Sequence, residues 1–398
     1  MDLPETSSPH RSLEHFLNQE LDGIKKAGLF RELRVLDSPQ SPHIATGGRA
    51  LINFSSNDYL GLASHPALAE AARSEGARGG FGSGSSRLVC GTLTAHERLE
   101  AALAEFKRMA SALCFSSGYA AAMGTIPALC TREDVIILDK LCHACLVDAA
   151  RLSGAHLRVF PHNDMDKLES HLLWARSAHA GRRILVVAES VYSMDGDVAP
   201  LREMVELKNR HGAWLFLDEA HGVGVLGRGG RGLAEATGLE GHIEIQMGTL
   251  GKALGAHGAY IAGCESLREF LINRARSFIF STAPPAPVAA AAAKAVEILA
   301  AEEGQGLLCR LWNNIRHLGT SLNQPTATSA IIPIIIGEES AAMQAGRQLQ
   351  GLGLLVPAIR YPTVARGRAR LRVTVSATHS SQDIETLVQA IKPLVGIP

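Results

Sequence analysis

Apolar residues along this chain fall into short unbroken runs separated by helix-length mixtures. "DVIILD" (134–139), "HLRVF" (156–160), "RILVVAES" (183–190), "AWLFLDEA" (213–220), "EIQMGTL" (244–250) and "GAYIAG" (258–263) read as strands. Several are apolar throughout, with no alternation, as expected of strands covered on both faces. Amphipathic stretches such as "PLREMVELKNRHG" (200–212) separate them. Strand and helix in this order predict an α/β fold with a mostly parallel sheet.

After "FSTAPPAP" (280–287) the pattern changes. An Ala-rich helix (287–303), strands at 330–337, 354–360 and 369–377, and a last helix from Ser381 to Leu394 predict a smaller α+β domain over 285–398. The large domain is expected at 50–284. Residues 1–49 hold a helical stretch, "LEHFLNQELDGIKKAGLFREL" (13–33), expected to pack on one of the two domains. No period of 20–50 residues repeats, which argues against a solenoid.

Composition narrows the classes. Lys plus Arg and Asp plus Glu number 39 each, so no net field draws in nucleic acid or an anionic membrane. No run reaches the roughly 18 apolar residues of a membrane span, and the acidic N-terminus lacks the apolar core of a secretion signal. A cytoplasmic chain is expected. Of the seven cysteines, Cys142 and Cys145 form one C-x-x-C. No second pair completes a zinc site, so buried thiols are the expectation over a redox or metal role.

"WLFLDEAHGVGVLG" (214–227) carries two fingerprints. "DEAH" matches a helicase motif, but the phosphate loop that a helicase needs upstream is missing. "GVGVLG" has the G-x-G-x-x-G spacing of a nicotinamide-dependent oxidoreductase. It runs into "RGGRG", however, and the nearest acid, Glu244, heads the next strand, so a mobile glycine loop is the better reading. What remains is Asp218 and His221 beyond a buried strand, with Lys252 after the next one. A carboxylate, an imidazole and a lysine suit pyridoxal phosphate: the amine captures the aldehyde, the carboxylate keeps the pyridine nitrogen protonated, and the imidazole bonds the phenolic oxygen. "SSGY" (116–119), just before an Ala-rich helix, offers Gly118 and Tyr119 N–H groups to a phosphate. His143 follows the strand ending at Asp139, where it would stack on a flat ring.

"NFSSNDYLGL" (53–62), "GSGSSRLVCGT" (82–92), "HND" (162–164), "SMDGDVAPL" (193–201), "LDEAHGVGVLGRGGRG" (217–232), "TLGKALG" (249–255), "FSTAPP" (280–285) and "AIRYPTV" (358–364) together resemble the α-oxoamine synthases. These are pyridoxal-phosphate enzymes of the aspartate-aminotransferase fold type. The resemblance implies that Lys252 forms the Schiff base with pyridoxal 5'-phosphate, that Asp218 pairs with the pyridine nitrogen, and that His221 meets the phenolic oxygen. It implies that Gly118, Tyr119, Ser193 and Thr249 also bind the cofactor, with Thr282 of the partner subunit. His143 would stack on the ring and touch substrate, Arg360 would clamp the amino-acid carboxylate, and Thr363 and Arg31 would contact the acyl substrate. It further implies a homodimer with shared active sites. The expected reaction is decarboxylative condensation of an amino acid, L-alanine, with a pimeloyl thioester on coenzyme A or a carrier protein, as in biotin synthesis. A sister member joining glycine to acetyl-CoA is the alternative.

Overall fold

The computed structural model describes residues 12–324 and 326–395. In chain order the strands are β1 (His43–Thr46), β2 (Arg49–Asn53), β3 (Ser111–Phe115), β4 (Val135–Asp139), β5 (His156–Phe160), β6 (Ile184–Glu189), β7 (Trp214–Asp218), β8 (Ile245–Thr249) and β9 (Ala259–Gly263). Four more follow: β10 (Ile331–Gly337), β11 (Leu354–Leu355), β12 (Ala358–Ile359) and β13 (Ala369–Thr374).

Seven strands form the main sheet in the order β3-β9-β8-β7-β6-β4-β5. β4 to β8 run parallel, and β9 lies antiparallel to both β8 and β3. All six expected strands of this region are present. β3 ("SALCF") is an addition to the expected strands, buried along its whole length and paired with β9. The unbroken apolar runs are explained by burial on both faces. Val135 and Ile137 of β4 point into one core and Ile136 and Leu138 into the other, and β6 divides in the same way. Helices therefore cover the sheet on both sides, and polar side chains at the carboxyl ends of β4, β6, β7 and β8 are the ones left to make a site.

Two three-stranded sheets, β1-β2-β11 and β10-β13-β12, stand beside the main one. The run expected as one strand at 354–360 is split between them, because Pro357 cannot donate to a ladder. Pro333 is accommodated because β10 is an edge strand. The Ala-rich helix, Ala286–Ala300, packs on the helices Pro66–Gly79 and Thr94–Lys107. The N-terminal helix differs from expectation. It spans Leu13–Lys26 and stops before Gly28, which takes φ +68°, and it buries no side chain against the rest of the chain.

Candidate active site

β7 delivers Asp218 at its last position, buried at 4% exposure, where one carboxylate oxygen accepts the Ala220 N–H at 2.8 Å. The chain then turns so that His221, 5% exposed, puts Nε2 2.8 Å from Lys252 Nζ. Its other ring nitrogen, Nδ1, lies 2.6 Å from the hydroxyl of buried Tyr59. Asp218, His221 and Lys252, separated in sequence, thus meet at the strand ends.

Their charges are poorly compensated. Burial raises the Asp218 carboxyl to about 6, against the pull of Lys252 in the other direction. Burial, with Lys252 and Arg372 nearby, holds His221 well below the usual imidazole range. Burial also lowers Lys252, although Asp218 and Glu189 favour its charged form. A buried carboxylate and amine each pushed toward neutrality mark a site built to receive a group.

His143 caps the helix Ala144–Ser153, its Nδ1 accepting from the Cys145 N–H. Its own N–H donates to buried Glu189 at the end of β6. Burial and the Lys252 charge lower its pKa. At β8, Thr249 Oγ1 is buried without a hydrogen-bond partner. A Cβ on Gly118 would stand 3.1 Å from the Thr249 methyl, so the start of the helix Gly118–Leu129 and this hydroxyl share one spot. An orphaned hydroxyl beside a helix N-terminus is a ready phosphate seat. Amine, carboxylate, imidazole and phosphate seat together fit pyridoxal phosphate.

The remaining expected residues make contacts of their own, and the Tyr119 N–H follows that of Gly118 at the helix start. Tyr119 is exposed, and its hydroxyl donates to Asp148 at 2.6 Å. Ser193 offers its carbonyl to Arg372 Nε at 2.6 Å. The Arg360 guanidinium donates to the carbonyls of Gly28 and, at 3.2 Å, Tyr361. Thr363 lines a cavity of about 480 Å³ with Lys140, His162, Tyr192 and Arg368. Arg31 is exposed in an irregular segment, and Thr282, also exposed, pairs its backbone with Ser86.

Residues 49–391 match the aminotransferase class I and II family. The chain belongs to this family. It is 47% identical to an 8-amino-7-oxononanoate synthase from Pelobacter propionicus, over 94% of this chain and 96% of that relative. One from Geobacter sulfurreducens is 46% identical over the same shares. A serine palmitoyltransferase from S. paucimobilis, solved with a PLP–myriocin aldimine, superposes with a TM-score of 0.90 at 30% identity, covering 98% of this chain and all of that one. An 8-amino-7-oxononanoate synthase from Francisella tularensis superposes at 0.74 with 27% identity, covering 87% and 97%.

Within this aminotransferase-family chain, the glycine loop is not the mobile element expected. Val223, Val225 and Leu226 are buried. Gly224, at φ +73°, brings the backbone so near Ala253 that a Cβ would lie 2.4 Å from the Ala253 Cβ. Its bareness seats the loop that carries Lys252. Glu219, the second residue of "DEAH", accepts the Leu233 and Ala234 N–H groups at 2.9 and 3.0 Å, a structural task. Glu244 likewise bonds Lys208 and the Leu215 N–H. Cys142 and Cys145 are buried free thiols, and no metal-holding cluster occurs among the described residues.

Sequence reasoning passed over Tyr59, Glu189 and Arg372. Arg372 left a signal: with Arg370 it alternates with Leu371 and Val373 in β13, and both arginines are buried. A charge on the inner face of an apolar strand calls for a partner. Arg372 finds the Ser193 carbonyl, Thr374 Oγ1 and Asn57 Oδ1.

Proposed function

We propose that this chain is a pyridoxal-phosphate enzyme that condenses L-alanine with a pimeloyl thioester, giving 8-amino-7-oxononanoate, carbon dioxide and the free thiol. The single observation that carries the reading is the buried meeting of Lys252, His221 and Asp218, in a chain 47% identical to an 8-amino-7-oxononanoate synthase. The choice of alanine and a pimeloyl chain rests on those relatives.

When bound, pyridoxal phosphate supplies an aldehyde for amine capture and a pyridinium that accepts the electrons of a bond broken at the amine-bearing carbon. Lys252 would be the amine for that aldehyde and, as the free amine, the base placed to take the α-proton of the amino acid. Asp218 would hold the proton on the pyridine nitrogen, and His221 would bond the phenolic oxygen. Thr249 Oγ1 and the Gly118 end of the helix would hold the phosphate. For the amino-acid carboxylate, Arg372 joins Arg360 as a holder: it is the buried guanidinium whose charge acts on both Lys252 and His221. His143 and Thr363 face the acyl side.

We also propose a homodimer, each site completed by Thr282 of the partner subunit. It is supported by the exposed Leu13, Phe16 and Leu17 of the N-terminal helix, an apolar stripe suited to a second copy. The seven free thiols suit a reducing cytoplasm.

Visible absorption of the purified protein with L-alanine, glycine or L-serine tests the reading, alongside thiol release from pimeloyl-CoA. A band that responds to alanine, with thiol released, is expected. A response only to glycine would transfer the assignment to a glycine-using sister reaction, and no band after added pyridoxal phosphate would overturn it.

A further inference from the structure

Tyr59 lies far from Lys252 in sequence and is wholly buried, yet one hydrogen-bonded line joins the two. Its hydroxyl sits 2.6 Å from His221 Nδ1 and 3.3 Å from Asn57 Oδ1, and His221 Nε2 sits 2.8 Å from Lys252 Nζ. Burial, with the Arg372 charge, holds the imidazole neutral, so it carries a single N–H. Burial pushes the Tyr59 phenol up to about 12, so it keeps its proton.

Two proton arrangements satisfy these distances. In the first, Tyr59 donates to Nδ1, and the ring proton sits on Nε2, facing Lys252. In the second, Tyr59 donates to Asn57, the ring proton sits on Nδ1, and Nε2 accepts from an ammonium. The distances favour the first. The second leaves the phenol proton only the 3.3 Å contact to Asn57 Oδ1, long for an O–H donor, whereas the first gives it Nδ1 at 2.6 Å. An N–H on Nε2 then requires a lone pair on Lys252 Nζ, which an ammonium lacks.

We propose that Tyr59 is a positioning residue: by donating to His221 Nδ1 it fixes the Nε2–H tautomer and so holds Lys252 as the free, nucleophilic amine before the cofactor arrives. The other groups acting on Lys252 are Asp218, Glu189 and Cys145, which favour the ammonium, and Arg372, whose charge opposes it. The tautomer biases that balance toward the amine. The inference rests on the cofactor reading only through the role it gives Lys252.

The test uses the full-length apoprotein. In protein labelled with ¹⁵N-histidine, the His221 nitrogen shifts should show the proton on Nε2; a proton on Nδ1 would overturn the proposal with no variant needed. The rate at which the visible band forms on adding pyridoxal phosphate, followed across a pH series, gives the titration midpoint of the amine. In Y59F that midpoint should rise by about one pH unit, roughly a tenfold slower uptake below it. An unchanged midpoint in a folded Y59F protein would overturn the proposal. Absence of any band in the unaltered protein overturns the cofactor reading instead, while the nitrogen shifts still decide the tautomer.

Discussion

β4 and β7 each end in a buried aspartate with a histidine close by, and the two ends differ in how fully their charges are met. At β4, Asp139 accepts from the Leu141 N–H at 2.7 Å, the Asn163 N–H at 2.9 Å and His162 Nδ1 at 3.1 Å. His162 Nε2 reaches Asp197 at 2.6 Å. Burial alone would lower His162, but the two carboxylates carry it up to about 10. At β7, burial outweighs partners: Asp218 is raised, His221 and Lys252 are lowered, and nearby Thr249 Oγ1 has no partner. The same residue types therefore pair as charged groups at one strand end and are pushed toward neutrality at the other. Asn163 Oδ1 and Asp197 Oδ1 also lack partners at β4, so the pKa shifts make the distinction, and the end pushed toward neutrality is where a bound group is needed.

The sharpest break of this contrast is Lys252→Ala. Turnover should fall by on the order of 10³-fold or more, with the visible band lost and the unfolding midpoint nearly unchanged; thiol release and absorbance check it. Asp139→Ala should act the other way round. Removing one partner of a buried, multiply bonded pair should cost about 3 kcal/mol in urea unfolding, while the band of the folded fraction persists.

Asp218→Asn is expected to stabilise the apoprotein by about 2 kcal/mol at neutral pH while abolishing activity. The sign follows from the raised pKa. A carboxyl ordinarily at 3.8 but about 6 when folded favours folding fully below 3.8, and that advantage is lost as pH rises through 6. At neutral pH the native aspartate therefore carries a penalty that asparagine avoids. The smallest effect belongs to His162. Its folded pKa lies above the ordinary 6.5, so its stabilisation is complete below 6.5 and fades as pH climbs through about 10. His162→Gln should flatten that alkaline decline, which we expect to be at most about 1 kcal/mol after solvent screening.

Much of the architecture was legible in the order of residues. β4, β6 and β7 announced themselves because a strand buried on both faces must be apolar at every position. Asp218, His221 and Lys252 stood out because their types suit one cofactor and they follow adjacent strands. Tyr59 and Arg372 did not, since each lies more than a hundred residues from the histidine it acts on. The N-terminal helix was recognised as helical, but not that it would bury no side chain against its own chain, because an amphipathic face does not say what it meets.

Local pattern and residue type were enough to predict a mostly parallel sheet, six of its seven strands, and Asp218, His221 and Lys252 as groups that suit pyridoxal phosphate. These depend on local periodicity and on residue chemistry, which neighbours along the chain express. Only the tertiary structure decided that Gly224 serves to seat the Lys252 loop against Ala253, that Glu219 caps a helix, and that Tyr59 and Arg372 reach the strand ends. Proton positions and pKa shifts depend on burial and on distances across the fold, and no local stretch of residues carries either.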